Sequence, residues 1–339
     1  MTTTVAEART LAGELLAATG MAPEHADRSA WAIVLADCWG LGSHGLMRLP
    51  HYLRRLVAGG CRPDAGLPVV NDTGPLLALD GEDGLGHWQV WRAAELAAKR
   101  CAEYGVAVST VGRSSHCGAL GIYTLPLIRA GYAGLVFSNG PAVMPPTGGD
   151  RPVVSTSPIA AGFPSGADGE HPAIVDLATS AVARGKIAQR AAAGEPLPEG
   201  WAYDSAGVPT TDPAAALAGM LAPLGGAKGF ALAFGVEALT GGLVGPALST
   251  DVVDMFAAED ASAPQRIGHL VVALDPARTS VDGGGVQRLG ALAEVVRAAG
   301  GRTPGQRRTP VEEIADDAPL SIAPEVATEL ADWATRLKV

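Results

Sequence analysis

The chain has 339 residues, 47% hydrophobic and 18% charged, enough to bury a large core in one domain or in two to three smaller ones. A formal net charge of -10 excludes the clustered basic surface that nucleic-acid binding requires, and the one dense basic run, GRTPGQRR at 301–308, is short. Residues 1–20 lack a positive n-region and an apolar h-region, and the most apolar window, 229–248, carries Glu237, glycines and a proline, so neither a secretion signal nor a membrane span is expected.

Helices dominate the start. Thr4-Val5-Ala6-Glu7 has the form of a capping box, and Leu11, Leu15 and Leu16 follow at helical spacing up to Gly20. Pro23 opens a second helix closed by Gly40, and Pro50 a third that ends at Gly59-Gly60. The turn-rich block 61–75 marks a boundary. The pattern then mixes: LLALDG at 76–81, VAVSTVG at 106–112, AGLVFSNG at 133–140, 152–164, 172–180 and HLVVALDP at 269–276 read as strands. Residues 87–105, 181–193 and 230–241 read as helices, and the remainder returns to helix, ending in 323–338 with Pro324 at its start. Helical ends around an α/β middle predict one discontinuous helical domain, residues 1–72 with 300–339, around an α/β cofactor-binding and catalytic domain at 73–299. The four cysteines, Cys38, Cys61, Cys101 and Cys117, form no C-x-x-C pair and read as reduced thiols in a cytoplasmic protein.

The stretch WGLGSHGLMRLP at 39–50 places Gly40, Gly42 and Gly45 at the spacing of a dinucleotide fingerprint. That fingerprint needs a strand before it and a helix opening inside it. Here a helix precedes it, and Pro50 disfavours helix at Leu49, so both contexts fail. The alternative is a glycine-flanked catalytic loop presenting Ser43 and His44, with Arg48 four residues on. Imidazole titrates near working pH, and a planar guanidinium grips a carboxylate through two parallel hydrogen bonds. The bland alternative is a histidine at a helix end and an arginine in a surface ion pair. A second Ser/Gly loop, GRSSHCGALGIY at 112–123, holds His116, also a candidate acid/base.

These loops, with STSPIAAGFP, IVDLATSAVARGKI, LPEGWAYDSAGVPTTDP and PLGGAKGFALAFGVEALTG in the same order, resemble the malate/L-lactate dehydrogenase family over roughly residues 40–245. The resemblance implies a non-Rossmann α/β fold, with a mostly antiparallel cofactor-binding sheet flanked by helices and a helical domain built from both termini. It implies an NADPH- or NADH-dependent oxidoreductase acting on a small carboxylic acid, and a homodimer. His44 would be the proton donor or acceptor and Ser43 its relay. Asp176 would hold the far ring nitrogen of His44, or else cap a helix opening at 177. Arg48 would bind the carboxylate, with Tyr52, Met144 and Thr156 lining the acid's site. Met47, Tyr52, Met144 and Leu120 would make that site apolar, favouring a cyclic imino acid or simple keto acid over malate. The cofactor would contact His116, Gly118, Ala119, Leu120, Thr156, Ser157, Asp176, Leu177, Ala178, Lys228, Pro304, Gly305 and Gln306. Two positions depart from the family pattern: Ser157 replaces the usual Asn, and Gln306 the usual Glu. With Arg307 and Arg308 beside it, a neutral Gln306 suits the extra phosphate of NADPH. Two readings from other classes remain: a Cys–His hydrolase built on Cys117, and a nucleotide-binding protein without turnover.

Overall fold

The computed structural model describes residues 2–165 and 171–339. Its centre is a seven-stranded sheet of β1 (Val69–Asp72), β2 (Leu76–Gly84), β3 (Val106–Ser114), β4 (Ala133–Ser138), β5 (Ile159–Phe163), β6 (Ala173–Leu177) and β7 (Ile267–Leu274). The spatial order is β1-β2-β3-β7-β4-β5-β6. Only β2 and β3 run parallel, joined by the long crossover helix Gly86–Tyr104; every other neighbour in this sheet is antiparallel. The sheet is therefore mostly antiparallel and helix-flanked, as the resemblance implies. β1 lies inside the block expected to be only a turn-rich connector. All four of its residues are exposed, as befits an edge strand without an alternating apolar face.

The crossover helix buries Val90, Trp91, Ala93, Ala94, Ala97 and Cys101 against Val111, Val136 and Val271 of the sheet. Alanines on this face let helix and sheet approach closely, so bulk comes from few side chains. A second core joins Leu15 and Leu16, Ile33, Leu49 and Leu53 to Val326, Leu330 and Trp333 near the C-terminus. Thr2–Thr4 pairs antiparallel with Pro319–Ser321, so the chain ends meet in one ladder. The capping box forms as its sequence suggests: Thr4 accepts from the Glu7 N–H at 3.2 Å, and Glu7 accepts from the Thr4 N–H at 2.9 Å.

One local expectation is corrected. Leu49 is helical (φ -55°, ψ -42°) and begins the helix Leu49–Ala58. Pro50 then sits in the first turn, where its missing N–H has no intrahelical partner to lose. The rejected phosphate-loop reading still fails, because the helix Pro23–Cys38 precedes the glycines.

Candidate active site

Residues 42–48 fold as two consecutive single turns of 3₁₀ helix, Gly42–His44 and Leu46–Arg48. Ser43 Oγ lies 3.0 Å from His44 Nδ1. In either tautomer this contact engages Nδ1 and leaves Nε2 as the nitrogen that can serve a ligand. Burial, then the charge of Arg48, lowers the His44 pKa to about 4, so the resting imidazole is neutral. Arg48 donates from Nε to the Ser43 carbonyl at 2.7 Å, and its guanidinium carbon lies 4.4 Å from the centre of the Phe256 ring. Among the described residues its terminal nitrogens make no hydrogen bond and no carboxylate lies within salt-bridge distance. The surface ion-pair reading therefore fails, and the guanidinium is held by its stem with its fork uncommitted.

His116 comes from the loop after β3, far away in sequence, yet its ring stacks 6.1 Å from that of His44 at 16°. Its Nδ1 accepts from the Gly118 N–H at 3.2 Å and lies 2.8 Å from the Tyr52 hydroxyl. Burial, followed by the neighbouring His44, His87 and Arg48, drives its pKa well below the ordinary value, so this imidazole is neutral too. Tyr52 was expected to line the acid's site; it is buried with its hydroxyl on His116, so it acts on that space through the imidazole.

Asp176 is corrected on both expected counts. Its Oδ2 accepts from the Gly121 N–H at 3.0 Å and lies 3.9 Å from Arg308, not on the His44 ring. It belongs to β6, and the next helix begins only at Arg184, so it caps none. Two of the expected apolar lining residues sit within hydrophobic cores. Met144 and Leu120 are fully buried in two separate cores, Leu120 in the central one, and Met47 is 46% exposed. An apolar wall at the acid's side chain is left without support.

The expected cofactor segments converge from several elements. Gly118 (φ 72°), Ala119 and Leu120 follow His116, and Leu177 and Ala178 end β6 at the surface beside Thr156, whose carbonyl accepts from the Thr179 N–H at 2.9 Å. Ser157 is fully buried, with Oγ donating to the Ser155 carbonyl at 3.2 Å. Its φ of 41° is a conformation Asn adopts more readily than Ser, which gives a physical meaning to the departure at this position. Lys228 is exposed in the first turn of the helix Ala227–Glu237, after Gly225 and Gly226, both with positive φ. Pro304 accepts from the Ile174 N–H at 2.9 Å and Gly305 packs against Ile174, docking the C-terminal loop on β6. Gln306 accepts from the Thr303 N–H at 3.1 Å, closing its own loop. Arg308 turns inward onto Asp176 and the Trp39 ring, so only Arg307 of the adjacent pair faces solvent.

Sequence reasoning missed two further imidazoles and one carboxylate. His87 and His269 are buried behind the loops, with pKa values lowered by burial to about 3 and about 4. His269 Nε2 lies 3.1 Å from the Ser115 carbonyl, and its Nδ1 lies 4.0 Å from Cys117 Sγ. Cys117 is itself buried, and burial raises its thiol pKa far above the ordinary value, the reverse of an activated nucleophile. That removes the physical basis of the Cys–His hydrolase reading. Asp37 lies beneath the His44 loop; an acid closing a helix just before a glycine loop was the available signal.

Comparison with known proteins follows the same lines. The family model for malate/L-lactate dehydrogenase matches residues 3–331. A (2R)-3-sulfolactate dehydrogenase (NADP(+)) of Chromohalobacter salexigens is 41% identical over 303 residues, covering 89% of each chain. A Delta(1)-pyrroline-2-carboxylate/Delta(1)-piperideine-2-carboxylate reductase of Pseudomonas aeruginosa is 35% identical over 315 residues, covering 91% of this chain and 92% of its own. Among solved structures, a sulfolactate dehydrogenase from Methanocaldococcus jannaschii superposes with a TM-score of 0.90 at 28% identity, covering 100% of this chain and 98% of its own. A delta1-piperideine-2-carboxylate reductase from Pseudomonas syringae pvar. tomato gives 0.88 at 31% identity, covering 98% and 100%. The family match and these relatives define an NAD(P)-dependent oxidoreductase. The chain belongs to the malate/L-lactate dehydrogenase family. Among the described residues no helix is long and apolar enough to cross a membrane.

Proposed function

We propose that the chain is an NAD(P)H-dependent reductase of a small 2-oxo acid or cyclic 2-imino acid, with His44 as general acid/base and Arg48 as the carboxylate clamp. The observation that carries this reading is the two-turn loop 42–48, which engages His44 Nδ1 with Ser43 and anchors Arg48 through Nε, leaving Nε2 and the guanidinium fork uncommitted. The nicotinamide supplies the hydride when bound. The protonated His44 ring gives its Nε2 proton to the oxygen or nitrogen as the substrate carbon is reduced, and the neutral ring takes it back at Nε2 in the oxidative direction. His116, neutral and held by Tyr52 and Gly118, is assigned to the cofactor ring on the family resemblance.

The chain's own residues suit a dinucleotide. The backbone beside Gly118 and the ends of β6 form one edge, and the first turn of Ala227–Glu237 offers free N–H groups and Lys228 to phosphate. The NADP-dependent relative supports NADPH over NADH. A 2-hydroxy acid dehydrogenase of the malate, lactate or ureidoglycolate type is the second reading, favoured by the neutral resting His44, which is ready to act as a base.

The deciding assay mixes purified protein with NADPH or NADH and pyruvate, oxaloacetate, piperideine-2-carboxylate or pyrroline-2-carboxylate, and runs 3-sulfolactate and ureidoglycolate with the oxidised cofactors. Absorbance unchanged at the nicotinamide band with every acid, in both directions, removes the proposal. Arg48→Met raises KM for the acid about 10–100-fold with a smaller change in kcat, since hydrogen bonds to a charged group are worth about 1.5–3 kcal/mol. An unaltered KM removes the carboxylate role.

The active species is further proposed to be a homodimer. Helix Gly285–Ala298 buries none of its side chains, and Leu292, Val295, Leu232, Phe234 and Leu243 are exposed, Leu243 at 78%. Light scattering should return twice the 34.3 kDa chain mass, and a monomer at assay concentration overturns this.

A further inference from the structure

Asp37 occupies an electrostatically costly place. It closes the helix Pro23–Cys38, where the helix dipole disfavours an acid, it is largely buried, and among the described residues no cation pairs with it. Its Oδ2 accepts from the Leu46 N–H at 2.7 Å. Leu46 begins the turn that carries Arg48, so this carboxylate satisfies an orphan donor at the head of that turn, as an N-cap does, but from another element. The turn that carries His44 ends one residue earlier, at the Gly45 joint. There the carboxyl packs against the bare backbone: a Cβ on Gly45 would overlap all three carboxyl atoms, and one on Gly42 would touch Oδ1 at 3.4 Å. Gly45 has φ -94°, outside the left-handed region, and the carboxylate itself occupies the space a side chain would need.

We propose that Asp37 is a positioning residue, whose carboxylate at the joint of the two turns sets the angle between the His44 imidazole and the Arg48 guanidinium. The inference rests on the roles assigned to His44 and Arg48 above. A carboxylate is suited to the task because a charge-assisted bond is shorter and stiffer than a neutral one, and because its flat face admits two glycine backbones. Misplacing reacting groups by about 1 Å costs on the order of 10²-fold in rate, although Asp37 itself touches neither reacting atom.

The test compares the intact enzyme with Asp37→Leu, Asp37→Asn, Asp37→Ala, Gly45→Ala, the Asp37→Ala/Gly45→Ala double variant and His44→Ala, reading kcat, KM for the acid, NADPH affinity by fluorescence and the melting temperature. Asp37→Leu, similar in size but without an acceptor, should lower kcat/KM for the acid about 10²-fold while NADPH affinity holds. Asp37→Asn, which keeps an acceptor, should recover part of that loss. Gly45→Ala retains the acid but must displace it from the joint, and keeps the proposal falsifiable should the Asp37 variants not fold. Its loss in kcat/KM and that of Asp37→Ala should combine to less than their product in the double variant, because both break one contact. A folded Asp37→Leu with parental kcat and KM, or effects that simply multiply, overturns the inference. Should His44→Ala itself retain turnover, the site reading fails instead; loss there with normal Asp37 variants defeats the positioning role alone.

Discussion

Replacing His44 with alanine is expected to lower reductive turnover by about 10²–10⁴-fold, the range that a positioned proton donor contributes. NADPH should still quench or shift its own fluorescence on binding, because the segments assigned to it, around Gly118, at the end of β6 and at Lys228, do not depend on the His44 ring. Ser43→Ala should cost far less: it removes the hydroxyl 3.0 Å from Nδ1 and loosens the ring's orientation without removing the imidazole. A His44→Ala enzyme with parental kcat and intact cofactor binding would leave the non-catalytic nucleotide-binding reading as the better one.

The second expectation concerns pH. Burial and the adjacent Arg48 place the His44 pKa at about 4 in the free enzyme, and kcat/KM reports the free enzyme. In reduction the protonated ring is the reactive form, so its fraction falls tenfold with each pH unit above that value. For a 2-oxo acid, kcat/KM should therefore fall about tenfold per unit from pH 5 to 8, about 10³-fold in all. The oxidative direction needs the neutral ring and should be flat above about pH 6, where Asp37, its pKa raised by burial to about 6, is ionised as well. The signs are opposite because one direction consumes the proton that the other releases. Initial rates at subsaturating acid, in buffers of constant ionic strength, check both limbs. A reductive kcat/KM that is level from pH 5 to 7 would mean that His44 does not enter the reaction as a proton donor with this lowered pKa.

Local signals carried much of the molecule. The capping box at Thr4, the prolines that open helices and the glycines that close them act over a few residues, so their meaning survives without knowledge of the rest of the chain. The pairing of His44 with Arg48 was equally legible, because both lie within two turns of one another. Asp176 misled for the opposite reason. Its sequence neighbourhood suggested a helix cap or a histidine partner, whereas the register of β6 beside β5 turns its carboxylate to Gly121 and Arg308. Met144 and Leu120 read as lining residues because apolar side chains near a site look alike in sequence, whichever way they face.

What the amino-acid order determined alone was the inventory: a proton-transfer group, a carboxylate-binding cation and glycine loops to present them, in a chain whose motifs resemble one oxidoreductase family. Tertiary structure decided which of these groups meet. It stacked His116 beside His44, set the Tyr52 hydroxyl against the His116 ring, buried His87 and His269 behind both loops and set Asp37 under the joint that Gly45 forms. The physical reason is range: hydrogen bonds of caps and turns are settled within four residues, while burial, and with it every lowered imidazole pKa, is set by strands and helices brought together from distant parts of the chain.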